Sequence, residues 1–83
     1  MRLDKYLKVS RLIKRRTVAN EACDAGKVLV NDKPARASYD VKIDDVITIT
    51  LGTRSLRVQV VSVQETVLKN EAALLYRVLP DNL

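Results

Sequence analysis

Residues 2–16 read RLDKYLKVSRLIKRR, and the rest of the chain is organised around them. Leu3, Tyr6 and Leu7 recur at i, i+3 and i+4, the spacing of a helix with one apolar face, and Val9 then falls off that stripe. A short helix over about residues 3–9 follows. Lys5, Lys8 and Arg11 advance in steps of three along a neighbouring stripe that need not be buried. The connector SRLIKR breaks the period and offers Leu12 and Ile13 as adjacent apolar anchors for a turn against the core. The same fifteen residues carry seven Lys or Arg (Arg2, Lys5, Lys8, Arg11, Lys14, Arg15, Arg16) and one acid, Asp4, a local net of +6. The whole chain is only +5, so residues 17–83 come to −1. Charge this concentrated points to a polyanion held by one end of the molecule.

Working outward, a second helix is expected from about Arg16 to Ala25. Thr17 stands near its start, Ala19, Ala22 and Cys23 repeat at i, i+3 and i+4, and Gly26 sits where a left-handed C-terminal cap belongs. The small residues on that face allow close approach to the first helix. After Gly26 the period changes to two. KVLVND and KPARA read as a strand, an Asn31-Asp32 turn and a return arm that Pro34 assigns to a sheet edge. VKIDD gives another turn, and VITITL sets Ile47, Ile49 and Leu51 on one face against Val46, Thr48 and Thr50 on the other. Beyond Gly52, Leu56, Val58 and Val60 alternate with Arg57 and Gln59, and the phase slips at Val60-Val61, which predicts a β-bulge there. Asn70 is expected to cap a short helix from Glu71 to Leu75, and YRVL forms a last strand ended by Pro80. The fold class is α+β: two short N-terminal helices packed on a small antiparallel sheet, with a minor C-terminal helix.

Size and composition narrow the function. Eighty-three residues with no Trp or Phe and three Tyr make one small aliphatic core, which favours surface recognition over an enclosed active site. The single Cys23 forms no internal disulfide, and with no His the chain has neither a His/Cys metal site nor His-based acid-base chemistry. No catalytic residue, metal or cofactor is expected. No apolar run approaches the ~20 residues of a membrane span, so a cytoplasmic protein without membrane attachment is expected. A basic pI of about 9.7 fits a nucleic-acid binder.

The succession of RLDKYL, KRRTVANEACDAGKVLVN and VKIDDVITI, over about residues 2–50, resembles the S-four RNA-binding domain, also called the alpha-L RNA-binding motif. That domain is shared by a small-subunit ribosomal protein, certain pseudouridine synthases and tyrosyl-tRNA synthetases. The N-terminal string on a chain of this length is similar to the stand-alone RqcP-type proteins of ribosome-associated quality control in Gram-positive bacteria, relatives of the heat-shock S-four protein. The resemblance implies a non-enzymatic factor, a monomer of one domain spanning residues 1–83. It would bind large-subunit rRNA and stalled peptidyl-tRNA and assist an Rqc-type tailing factor in adding alanines to the nascent chain. An RNA-binding appendage of an RNA-modifying enzyme such as a pseudouridine synthase is the alternative, against which the short chain argues. Arg2 and Arg16 match motif positions that touch RNA, and Asp4 matches an acidic one. Asp32 in place of a Gly, and Ile43-Asp44 in place of Pro-Gly, depart from the family pattern and bear on the turns.

The RNA-binding set expected from these readings is Arg2, Asp4, Lys5, Lys8, Arg11, Lys14, Arg15 and Arg16, extended along the first hairpin by Lys27 and Lys33, with Arg36 beside them. Arginine suits this work because its planar fork grips a phosphate through two hydrogen bonds, whereas lysine acts as a hydrated point charge. Asp4 has two roles open: to favour the helix dipole from the first turn, or to orient Arg2 or Arg16 through an ion pair. Tyr6 is expected in the core rather than stacked on a base, and Cys23 in helix packing. Asp40, Asp44 and Asp45 are expected to shape turns rather than hold a metal.

Overall fold

The computed structural model describes residues 1–80. Helix α1 spans Leu3–Val9 and α2 spans Arg16–Asp24. Five antiparallel strands follow, β1 (Val28–Val30), β2 (Lys33–Pro34), β3 (Val46–Leu51), β4 (Arg54–Val60) and β5 (Tyr76–Val78), in the order β2-β1-β3-β4-β5. Pro34 lies on the edge strand β2, where its missing N–H costs no ladder bond. The α+β reading holds.

Alternation along the strands decides which side is covered. Val28 and Val30, Ile47 and Ile49, and Val58 and Val60 are all buried, and the register pairs Val28 with Ile49 and Ile47 with Val58. They join Leu3, Tyr6 and Leu7 of α1 and Ala19 and Cys23 of α2 in one core cluster. Leu51, expected on that face, is half exposed, because it pairs with Arg54 at the tip of the β3–β4 hairpin, beyond the reach of the helices. Tyr6 is wholly buried, and its hydroxyl donates to the Leu75 carbonyl at 2.7 Å, tying α1 to the C-terminal segment.

The turns accept the departures from the family pattern by using residues that tolerate the left-handed region. Asn31 and Asp32 have φ of 53° and 69°, the paired positive values of a type I′ hairpin turn, and Asp44 has φ 78°. Past Val60, the Val61 and Ser62 amides both donate to the Leu75 carbonyl, at 2.9 and 3.1 Å. Two successive donors on one acceptor are the expected bulge, placed just beyond the end of β4. Two local expectations change. The N-terminus of α2 has Arg15 at the cap position with no side-chain cap, so Thr17 does not serve there. The C-terminal helix is a 3-10 helix, Lys69–Leu75, that starts after Leu68 and not at an Asn70 cap. Only Ala72 and Leu75 of it are buried, a spacing of three that the 3-10 repeat satisfies directly.

Candidate nucleic-acid interface

Asp4 is the organising atom group of the N-terminal surface. It occupies the first turn of α1, yet only 2% of it is exposed. A buried carboxylate requires donors, and four converge on it. Arg2 donates from Nε to Oδ1 at 3.1 Å and from Nη2 to Oδ2 at 3.3 Å. Arg16, at the start of α2, places Nε 3.4 Å from Oδ2. Asn20, one turn further along α2, donates from Nδ2 to Oδ2 at 3.3 Å, and the Lys5 amide donates to Oδ1 at 2.8 Å. Asp4 thus accepts a first-turn amide and pairs with both arginines. Burial pushes its carboxyl up, but the hydrogen bonds from Arg2, Asn20, Arg16 and Lys5 outweigh that and hold it at about 2. In return the Arg2 guanidinium is held above its ordinary value by the Asp4 hydrogen bond and charge.

The arginines remain available while they are held. Their side chains are 49% and 48% exposed. Arg16 meets Asp4 through Nε, which leaves its two Nη groups for an outside acceptor. Arg2 reaches its position from the extended residue ahead of α1, where it forms a bridge with Asp40, and Arg16 from the extended-to-helical junction of α2. The residue ahead of α1 and the first residue of α2 thus each deliver one guanidinium to a shared carboxylate. A shallow cavity of about 350 Å³ opens beside it, lined by Asp4, Arg16, Thr17, Asn20 and Glu21. The close approach of the helices depends on Ala19 and Cys23, both buried. Burial, followed by the nearby charges of Asp4 and Asp24, pushes the Cys23 thiol up to about 11, so it serves packing and not reactivity.

The other cations occupy different settings. Lys8, Arg11, Lys14 and Arg15 are exposed along the end of α1 and the connector, where Arg11 adopts φ 64°. Lys5 is half-buried and makes an ion pair with Glu65, so part of its charge is met within the chain. Lys27, Lys33 and Arg36 are exposed on the hairpin side. None of these side chains is hydrogen-bonded or ion-paired to Asp4. Asn20 is the member that sequence reasoning misses. Its signal is its place four residues after Arg16, on the edge of the stripe that faces α1.

The chain is similar to known proteins in sequence and in fold. The family model described as the S4 domain matches residues 1–47. The RQC P-site tRNA stabilizing factor of Bacillus subtilis is 49% identical over 81 residues, which cover 98% of this chain and 94% of that protein. The protein of the same name from Streptococcus pneumoniae is 46% identical over 81 residues, 98% of this chain and 92% of its own. Heat shock protein 15 of Escherichia coli is more distant, 35% identical over 92% of this chain and 58% of its own length. Among solved structures, the trimeric heat shock protein 15 of Vibrio cholerae superposes with a TM-score of 0.88 at 31% identity, covering 95% of this chain and 81% of that one. By the family model, by identity over nearly its whole length and by fold, this chain belongs to the S4 domain family, alongside the proteins named RQC P-site tRNA stabilizing factor.

Proposed function

We propose that the chain is a non-enzymatic RNA-binding factor of ribosome-associated quality control, which holds a stalled peptidyl-tRNA in the P site of the large ribosomal subunit. The observation that carries this reading is the buried Asp4 carboxylate with Arg2 and Arg16 fixed on either side of it. A free arginine loses side-chain freedom when it grips a phosphate, and a clamped one has lost it already. The Nη groups of Arg16 and Nη1 of Arg2 would meet phosphates of large-subunit rRNA or of the tRNA, because folded RNA is read through its shape and backbone more than through base edges. Lys8, Arg11, Lys14 and Arg15 draw the RNA in, Lys5 contributes once Glu65 is displaced, and Lys27 and Lys33 extend the surface along the hairpin.

In this reading the domain spans residues 1–83, works as a monomer in the cytoplasm without a cofactor, and supports an Rqc-type tailing factor as it adds alanines to the nascent chain. The names of the relatives, stabilizing factors matched over most of their length, support a binding role over catalysis. They also disfavour an appendage of a pseudouridine synthase. Among the described residues no helix is long and apolar enough to cross a membrane. Co-sedimentation with large subunits tests the reading. Arg2→Ala and Arg16→Ala should each lower the bound fraction while far-ultraviolet circular dichroism stays that of the parent, and unaltered sedimentation of both variants would remove the clamp from the account.

A further inference from the structure

A second buried acid, Asp45, stands in the turn that leads into β3. Asp45 is 8% exposed, and its carboxylate is met by Asn31 Nδ2 at 3.1 Å, the Tyr39 hydroxyl at 2.8 Å and the Lys42 amide at 2.9 Å. Asn31 is further fixed because its Oδ1 accepts the Val46 amide at 3.0 Å. Asp45 therefore holds a tyrosine ring and the first residue of the β1–β2 turn, much as Asp4 holds two arginines. The groups it fixes are walls of a cavity of about 650 Å³, which Lys33, Pro34, Arg36 and Ser38 complete. Arg36 also lines a neighbouring cavity of about 450 Å³ with Cys23 and Asp24 at the end of α2.

We infer that this cavity is a subsite for a single unpaired nucleotide of the bound RNA, its phosphate held by Lys33 and Arg36 and its base laid against Tyr39 and Pro34. The inference rests on the RNA-binding reading above and assigns a different part of the surface. Four features carry it. The volume exceeds that of one nucleotide and is far too small for a duplex. Two exposed cations, Lys33 and Arg36, line the cavity, and the Asp45 carboxylate, which does not line it, has its oxygens met by Asn31, Tyr39 and the Lys42 amide. The apolar wall combines Pro34 with an aromatic ring, the surface on which an unstacked base is ordinarily received. Finally, the ring is held by its hydroxyl, so no side-chain order has to be created on binding. Glu21 and Asp24 are exposed along α2 between Arg16 and Arg36. That acidic interval favours two separate phosphate contacts over one continuous track.

The test uses the full chain and two synthetic RNA hairpins, identical except that one carries a single bulged 2-aminopurine nucleotide. Fluorescence anisotropy measures affinity, and the 2-aminopurine emission reports stacking. The parent protein is expected to bind both hairpins, to prefer the bulged one by at least about fivefold, in line with base-aromatic stacking, and to quench its emission. Tyr39→Leu should abolish that preference while leaving the unbulged hairpin within about twofold, and Arg36→Ala should remove the preference on top of whatever loss it causes on both hairpins. Arg16→Ala should weaken both hairpins alike. Thermal melting and binding of the unbulged hairpin together show whether each variant is folded. A parent that binds both hairpins equally, or variants of Arg36 and Tyr39 that keep the preference, overturns the subsite and leaves the Arg2–Asp4–Arg16 reading standing. A parent that binds neither hairpin overturns the subsite, and one that also fails to co-sediment with large subunits overturns the RNA-binding reading as well.

Discussion

Replacing Asp4 by Asn separates a fixed clamp from a simple patch of positive charge. The variant raises the net charge of the N-terminal surface by one, so a model in which the RNA is held by bulk charge predicts tighter binding. The geometry predicts the reverse. Without the carboxylate, Arg2 and Arg16 lose the group that positions them, and two cations converge on a neutral side chain. The stability cost follows from the carboxyl being held at about 2 where its ordinary value is 3.8, a difference that contributes about 2 kcal/mol at neutral pH. For a group lowered in the folded state, that contribution is present above about pH 4 and is lost as pH falls toward 2. Asp4→Asn should therefore melt roughly 10 °C below the parent at pH 7. Its stability should also fall less steeply than the parent's between pH 4 and pH 2, where the parent forfeits this contribution. Asn keeps an acceptor for the Lys5 amide, so the circular dichroism of the helices should persist. The assays are urea or thermal unfolding across pH 2–7 and RNA affinity at pH 7. An Asp4→Asn protein that binds RNA as tightly as the parent or more so, with an unchanged acid profile, would refute the reasoning.

Three further outcomes are expected. Arg16→Lys should recover little of what Arg16→Ala loses, because an ammonium engaged with Asp4 has no second fork of donors for a phosphate; in affinity against salt, each change should reduce the slope by roughly 0.7–0.9 log units for the phosphate contact removed. Tyr6→Phe removes the donor to the Leu75 carbonyl, which still accepts from Val61 and Ser62; denaturant unfolding should show a loss of about 1 kcal/mol with RNA binding unchanged. Asp32→Gly relieves a left-handed residue in the hairpin turn and should raise stability by about 0.5–1 kcal/mol, measured as a higher urea midpoint at constant slope.

How far the fold can be read from the chain depends on where each decision is made. Leu3, Tyr6 and Leu7, the Ala19–Ala22–Cys23 stripe and the alternation from Val28 onward are local patterns, and the elements they imply form within a residue or two of expectation. Gly26, with φ 76°, closes α2 where a left-handed cap is expected. Decisions made by tertiary packing are less visible. The segment at Lys69–Leu75 contains good helix formers, but only two of its side chains find the core, and their spacing of three selects the tighter helix. The basic surface is legible as charge, whereas its order is not. Asn20 joins Asp4 from sixteen residues away, and Lys5 is taken up by Glu65 from sixty. Asp45 reads as a turn residue in the chain, and its link to Tyr39 emerges only when the two are folded together.

The central claim, that the Asp4-ordered arginines hold ribosomal RNA and tRNA on the large subunit, is tested most directly by recovering the tagged protein from cells and sequencing the RNA bound to it, for the parent and for Arg16→Ala. The parent should bring down large-subunit rRNA together with tRNA still esterified to peptide, and Arg16→Ala should lose both in proportion. Recovery of small-subunit or messenger RNA, or large-subunit RNA in equal amounts with and without Arg16, would contradict the account.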